Sequence, residues 1–186
     1  EKKLPVFPNP TSLDICQDRL NEKNLFKKLN IATTNYKSIS SKDELKDALD
    51  EYSFGSILKS RKLGYDGKNQ IIIDEKGLDR IWDKIDGVDS IIENKIDFDT
   101  EVSLIGARTH DKKTFFYPLI ENFHENGILS ISISPLSQEK NIRDRLQIQA
   151  EAILNSIMNE LNYIGVLVIE FFLDKDLNLL ANEMAP

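Results

Sequence analysis

The chain has 186 residues, 40% of them hydrophobic, which is enough for one globular domain with a real core or for two small lobes that share one. Its 24 basic and 31 acidic residues give a net charge of -7, which excludes a broad basic surface for nucleic acid. No apolar run is long enough for a membrane span, no secretory signal opens the chain, and the single Cys16 cannot form an internal disulfide. We therefore expect a cytoplasmic protein that binds neither nucleic acid nor membranes.

Helical periodicity marks four segments. Ser12 is the predicted N-cap of a first helix that runs to about Leu29, and Ser41 begins a capping box for a second helix. Apolar residues recur at helical spacing in residues 78–85 and again along residues 138–161, which form the longest predicted helix.

Short apolar runs predict the strands. They fall at residues 56–61, 71–73, 90–93, 102–108, 115–119 and 128–133. The last three runs are separated by turn residues, which indicates an antiparallel meander. Residues 165–173 and 178–183 predict a hairpin near the end of the chain.

A glycine-bearing loop, residues 64–70, joins two of these strands. Its glycines allow backbone N–H groups to approach an oxyanion, and Lys68 adds a mobile positive charge, so the loop could bind phosphates. The loop lacks the Walker pattern and opens no helix, so neither a P-loop nor a Rossmann site is indicated. Taken alone, the same residues also fit an ordinary glycine-containing hairpin.

Charged side chains interrupt three of the apolar strands. The ammonium group of Lys59 either pairs with a bound phosphate or reaches water along its own stem. Glu170 and Glu183 lie in the two runs of the predicted hairpin, with Asn182 beside one of them. If the runs pair, the two carboxylates converge as Mg²⁺ ligands; singly, each glutamate also fits an exposed edge or a salt bridge.

Other candidates carry weaker signals. Glu93 ends a strand and Glu101 follows it closely, which is compatible with a linker strand that lines a nucleoside. His124 is predicted in a solvated loop and His110 in a polar turn. Cys16 lies in a predicted helix without a placed histidine partner, so no nucleophile is indicated, and no zinc-ligand spacing occurs.

Several motifs occur together and in a fixed order. They are Gln17-Asp18-Arg19, Ile57-Leu58-Lys59, Gly64-Tyr65-Asp66-Gly67-Lys68, Glu101-Val102-Ser103-Leu104, Tyr117-Pro118-Leu119-Ile120-Glu121-Asn122, Gly127-Ile128-Leu129, Glu170-Phe171-Phe172 and Asn182-Glu183-Met184-Ala185-Pro186. In these motifs the chain resembles the carboxyaminoimidazole ribonucleotide synthases over essentially its whole length. The Tyr-Asp-Gly-Lys loop separates this family from other ATP-grasp carboxylases. Leu63 and Asn69 stand where relatives often have glycine, which implies a stiffer loop.

This resemblance implies an α+β protein with the ATP-grasp fold, in which two lobes with antiparallel sheets and packed helices hold the nucleotide between them. Residues 1–186 would form the ATP-grasp domain, with a small lobe at about 45–92 and a large lobe from the remainder. The chain starts without Met and stops after an apolar run, so we expect a fragment that lacks the family's N-terminal nucleotide-fold domain and its C-terminal domain.

The resemblance also implies a role for each site residue. Arg19 and Lys59 would contact the ATP phosphates, as would the loop Gly64, Tyr65, Asp66, Gly67, Lys68, Asn69 and Gln70. Glu93, Asn94, Lys95 and Ile96 would meet the adenine edge, Glu101 the ribose and His124 the nucleotide. Glu170 and Glu183 would bind Mg²⁺ with Asn182 beside them. Tyr65, Asp66 and Lys68 would reach the aminoimidazole ribonucleotide, and Asp66 and Lys68 would take part in catalysis.

The implied reaction belongs to purine synthesis. Bicarbonate attacks the γ-phosphate of ATP to give carboxyphosphate, and the carboxyl group passes to the amine of aminoimidazole ribonucleotide. The full-length enzyme would be a homodimer, and the fragment alone would bind ATP weakly at best. Two alternatives remain open: an ATP-grasp ligase with another acceptor, and a nucleotide-binding module without catalysis.

Overall fold

The computed structural model describes residues 4–52, 55–62, 70–73, 77–125 and 127–186. Its helices are α1 Pro10–Cys16, α2 Arg19–Lys28, α3 Lys42–Glu51, α4 Leu78–Ile85 and α5 Lys140–Glu160. Its strands are β1 Tyr36–Ile39, β2 Ile57–Ser60, β3 Gln70–Ile72, β4 Ser90–Glu93, β5 Phe98–Arg108, β6 Thr114–Phe116, β7 Ile120–Glu125, β8 Ile128–Ile133, β9 Gly165–Asp174 and β10 Leu179–Ala185. Over these ranges, none of the helices has the length and apolar character needed to cross a membrane.

Four strands form the smaller sheet, in the antiparallel order β1-β4-β2-β3. Helices α3 and α4 supply its core, in which Leu45 and Ile81 pack with Leu58 and Ile92. The strands of the smaller sheet extend from Tyr36 in β1 to Glu93 in β4. The lobe boundary at about residue 45 stays a prediction.

The larger sheet has the order β10-β9-β5-β7-β8, with β6 paired to β5. Helix α5 packs on one face, where its buried Leu146, Ala150, Leu154 and Ile157 share a core with β5 and β9. Because side chains alternate along a strand, the residues of β9 between these core positions point away from α5. This second face of the larger sheet carries the polar side chains described below.

The predicted capping box is confirmed. Ser41 Oγ accepts a hydrogen bond from the Glu44 N–H at 3.2 Å, and the Glu44 carboxylate accepts one from the Ser40 N–H at 2.6 Å. The first bond satisfies an N–H group that the first turn of α3 leaves without a helical partner, and the second ties the Glu44 side chain to Ser40, the residue before the N-cap.

The prediction of one helix from Ser12 to Leu29 is wrong. The structure has two helices there, because Asp18 adopts an extended backbone and its carboxylate accepts a hydrogen bond from the Leu20 N–H at the start of α2. Asn9, not Ser12, caps α1. A short acceptor side chain competes with the helix for backbone N–H groups, so Asp18 ends one helix and starts the next.

Candidate active site

Lys59 pairs with Glu93 inside the smaller sheet. Lys59 lies opposite Ile91 and Ile57 lies opposite Glu93, so the two charged residues are diagonal neighbours on one face. Lys59 Nζ is 2.6 Å from Glu93 Oε2, and the Lys59 side chain is only 12% exposed. The ammonium group of Lys59 is therefore paired with a carboxylate of the same chain, an arrangement that the sequence alone did not reveal.

Glu93 is buried between two ammonium groups. Its other oxygen lies 3.2 Å from Lys23 Nζ, and its side chain is 4% exposed. Burial on its own would raise the pKa of Glu93, but the charges of Lys23 and Lys59 outweigh burial and hold that pKa below its usual range. The carboxylate therefore stays ionised and is committed to these two lysines.

Arg19 connects the smaller sheet to the larger one. From the first position of α2, its Nη1 donates a hydrogen bond to the Ser60 carbonyl oxygen at the end of β2, at 3.0 Å. Its Nη2 lies 4.0 Å from Glu183 Oε2 on β10. One guanidinium group thus reaches toward both sides of the space between the sheets.

Glu170 and Glu183 stand directly opposite each other on β9 and β10. The register shifts between Ala181 and Glu183, so Asn182 occupies a β-bulge beside the pair. Burial raises the pKa of Glu170, and the neighbouring charge of Glu183 raises it further. The predicted hairpin is confirmed, and the convergence of its two carboxylates follows from the observed register.

His124 lies in β7, so its prediction as a solvated loop residue is wrong. Its Nδ1 is 3.0 Å from Glu101 Oε2, an ion-pair distance without hydrogen-bond geometry. Burial raises the pKa of Glu101, while the nearby His124 opposes that rise. Strand β7 was missed because its apolar residues, Ile120 and Phe123, do not alternate strictly with polar ones.

The predicted adenine-binding segment follows the smaller sheet. The Asn94 N–H donates to the Asn35 carbonyl oxygen, and the Asn94 carbonyl oxygen accepts from Thr34 Oγ1, so its backbone is already engaged. Lys95 and Ile96 lie in the connection between β4 and β5. The side chain of Glu93, the first residue of the predicted segment, points instead to the lysines.

Of the predicted phosphate loop, the structure describes only the last residue, Gln70. Gln70 begins β3, where it is exposed and lies opposite Lys59. The other predicted loop residues, Gly64, Tyr65, Asp66, Gly67, Lys68 and Asn69, lie outside the described residues.

Sequence reasoning missed a polar network on the second face of the larger sheet. Buried Asn122 donates to Ser103 Oγ at 2.9 Å and accepts from Ser132 Oγ at 2.9 Å. Ser103 lies opposite Glu170, and Asn122 lies opposite Glu101. The alternation of Asn122 and His124 was the signal that could have placed both residues on this face.

An aromatic pair was also missed. Phe98 and Phe172 stack with ring centroids 4.6 Å apart, and Phe172 lies opposite Glu101. No sequence signal pointed to this pair, because Phe172 lies in an apolar strand and Phe98 stands between Asp97 and Asp99, outside the predicted strands.

The carboxylates suit a cation that also has a ligand outside the protein. In the part of the chain that the structure describes, no three acidic, histidine or cysteine side chains converge closely enough to hold a metal by themselves. Mg²⁺ commonly takes one or two protein carboxylates and completes its coordination with phosphate oxygens and water. The opposed pair of Glu170 and Glu183, whose charges repel each other, fits that requirement.

Comparison with known proteins places this arrangement in a family. A family model for the ATP-grasp domain matches residues 24–186. The chain is 38% identical, over 184 residues, to N5-carboxyaminoimidazole ribonucleotide synthase of Pseudomonas aeruginosa, covering 98% of this chain and 49% of that protein.

Solved structures of the same family also match this chain. The N5-carboxyaminoimidazole ribonucleotide synthetase from Thermus thermophilus matches with a TM-score of 0.88 at 34% identity, covering 98% of this chain and 48% of that one. N5-carboxyaminoimidazole synthetase from Staphylococcus aureus complexed with ADP matches with a TM-score of 0.84 at 30% identity, covering 94% and 46%.

The family match covers most of the chain, so the chain belongs to the ATP-grasp domain family. The predicted α+β ATP-grasp fold is thereby confirmed. The resemblance to the N5-carboxyaminoimidazole ribonucleotide synthases is confirmed as well. The chain spans about half the length of the curated relatives it matches.

Proposed function

We propose that this chain is the ATP- and Mg²⁺-binding part of a cytoplasmic carbon-nitrogen ligase that carboxylates aminoimidazole ribonucleotide in purine synthesis. The observation that carries the proposal is the opposition of two charge types: Arg19 and Lys59 face the space between the sheets, and Glu170 and Glu183 pair on the larger sheet. The resemblance to N5-carboxyaminoimidazole ribonucleotide synthases supports the choice of acceptor.

The nucleotide would lie along the second face of the larger sheet. Its phosphates would meet Arg19, Lys59 and the loop of residues 64–70, since Lys59 pairs with Gln70 at the end of that loop. Its ribose would meet Glu101 and His124, which already contact each other.

The base would occupy the other end of the same face. Lys95 and Ile96 directly follow the smaller sheet, so their backbone groups would meet the adenine edge while the Asn94 backbone stays in its own hydrogen bonds. Phe172, stacked on Phe98 and opposite Glu101, offers an aromatic surface beside the ribose position.

Glu170 and Glu183 would hold Mg²⁺, with Asn182 beside them in the bulge. Bound there, the ion would neutralise phosphate charge as the phosphoryl group transfers. The two glutamates would orient the phosphates by this route, and Arg19 would contribute a second positive group from the side of α2.

The chemistry would have two balanced steps. A bicarbonate oxygen attacks the γ-phosphorus of ATP, the bond to ADP breaks, and carboxyphosphate forms. The acceptor's amine nitrogen then attacks the carboxyl carbon, phosphate leaves, and the amine loses a proton. We propose Asp66 near that amine and Tyr65 and Lys68 near the ribonucleotide. Carboxyphosphate hydrolyses readily, so the reaction requires that water be excluded from it.

Phosphate release by the full-length protein tests this function. With Mg-ATP and bicarbonate, we expect aminoimidazole ribonucleotide to stimulate release strongly and to yield its carboxylated product. If another acceptor stimulates release instead, the protein is an ATP-grasp ligase with a different substrate. If no acceptor does so while ADP still binds, the module is not catalytic. The proposed homodimer is tested separately by light scattering of the same sample.

A further inference from the structure

Lys23 is a buried charge that none of the proposed roles uses. It lies in the middle of α2, and its side chain is 2% exposed. Its ammonium group lies 3.2 Å from Glu93 Oε1, donates to Thr33 Oγ1 at 3.0 Å and to the Ala181 carbonyl oxygen at 3.4 Å. Lys23 therefore contacts the smaller sheet, the segment after α2 and the larger sheet at once.

The charges around Glu93 must be counted together. If Lys59 alone paired with Glu93, the two would form a neutral pair with little attraction for a phosphate. Burial lowers the pKa of Lys23, while the charge of Glu93 opposes that shift. With both lysines protonated and Glu93 ionised, the group of Lys23, Glu93 and Lys59 carries one net positive charge. Of the two lysines, Lys59 lies nearer to water, because its side chain is 12% exposed and that of Lys23 only 2%. The positive charge is therefore accessible at Lys59.

The neighbouring Glu22 does not cancel this charge by contact. Its carboxylate is turned toward β10, where it accepts a hydrogen bond from the Met184 N–H. Burial raises the pKa of Glu22 well above its usual range, while Lys23 acts in the opposite direction.

We infer that Lys23 is a positioning residue that occupies Glu93 and so leaves Lys59 with net positive charge for the nucleotide phosphates. The inference rests on the proposed contact between Lys59 and those phosphates. Lys23 itself touches neither nucleotide nor metal in this account. Lys23 acts through the charge of Glu93. A side chain that only held the two sheets together, a purely structural tether, would have the same effect whether or not Glu93 is charged.

The test is a charge rescue in the full-length protein, measured as Mg-ADP affinity by calorimetry. Lys23→Met should weaken binding at least about tenfold, because Glu93 then neutralises Lys59 alone. The double variant Lys23→Met/Glu93→Gln restores one net positive charge and should bind within about threefold of the wild type. Lys27→Met, an exposed lysine one turn along the same helix, should bind like the wild type.

Rescue by the second substitution is the result that a tether does not produce. If the double variant binds as weakly as Lys23→Met, or if Lys23→Met binds like the wild type, the inference is overturned. Should Lys23→Met not fold, Glu93→Gln replaces it: the inference predicts binding at least as tight as wild type, and weaker binding contradicts it. Lys59→Met separates the two claims, because unchanged affinity there would overturn the proposed nucleotide site itself.

Discussion

Glu170 and Glu183 occupy directly opposed positions on neighbouring strands, where like charges destabilise a sheet. The raised pKa of Glu170 reflects its burial first and the charge of Glu183 second. An opposed pair of carboxylates costs stability, which supports the proposal that a cation binds them.

Replacing one carboxylate should therefore separate stability from binding. For Glu170→Gln we expect the unfolding temperature of the ligand-free protein to rise by a few degrees at neutral pH, while Mg²⁺-dependent ADP binding weakens at least about tenfold. Thermal unfolding and calorimetry, each with and without Mg²⁺, measure the two effects. Glu125→Gln, an exposed glutamate at the end of β7, is the matched control and should change neither.

The pH dependence of this effect has a defined sign. Because the folded pKa of Glu170 is raised, the folded state binds more protons than the unfolded state above the ordinary glutamate value of about 4.3. The wild type should lose stability relative to Glu170→Gln as pH rises above about 4.3. Below that pH the free energies of unfolding of the two proteins should converge. An unfolding temperature that Glu170→Gln lowers at neutral pH would contradict the repulsion.

Single residues were predicted unevenly from the sequence. Lys59, Glu170 and Glu183 could be singled out as candidate site residues because charges in apolar strands are unusual. Lys23 gave no signal, since lysine is common on helices and its burial depends on Glu93, which is distant in sequence. Long-range pairing of this kind is invisible to periodicity, which reports only neighbours along one element.

At the scale of elements, α5 packs against β5 of the larger sheet. Gly106 in β5 faces Leu154 of α5 and the ring of Phe116. A methyl group at Gly106 would lie 2.8 Å from Leu154 Cδ2 and 3.1 Å from two ring carbons of Phe116. A larger residue at this position would therefore force the side chains of Leu154 and Phe116 to move.

Gly106→Ala should lower the free energy of unfolding by about 1–3 kcal/mol, because the added group overpacks the interface. Gly77→Ala at the start of α4 should cost less than about 1 kcal/mol, since its added carbon would meet Arg80 Cβ at an ordinary 3.6 Å. Denaturant titration of both variants measures the difference. Equal stability of the two would show that the interface yields more easily than its distances indicate.

Elements with strong local patterns were predicted well. Helix α4, strand β4 and strand β8 begin and end where their apolar runs do. Strand β1 was missed because Tyr36–Ile39 carries polar residues, and its role as an edge strand of the smaller sheet depends on pairing with β4. The break before α2 was missed because the apolar stripe continues across Asp18, whose capping bond the stripe does not report.

For the molecule as a whole, the site belongs to neither sheet alone. Lys59 comes from the smaller sheet, Glu183 from the larger one, and Arg19 on α2 contacts both. The family resemblance predicted this arrangement, whereas composition and periodicity indicated only separate strands and helices. The phosphate loop, of which only Gln70 lies within the described residues, remains a prediction.

The most direct test is calorimetric titration of the full-length protein with Mg-ADP, comparing Lys59→Ala with the wild type. If nucleotide phosphates bind between the sheets, Lys59→Ala should weaken binding at least about tenfold, because the phosphates then lose a largely buried positive partner. Lys37→Ala, in a half-buried lysine of the same sheet that pairs with Glu51, serves as the control and should bind like the wild type. Unchanged affinity in Lys59→Ala would contradict the placement of the nucleotide at this site.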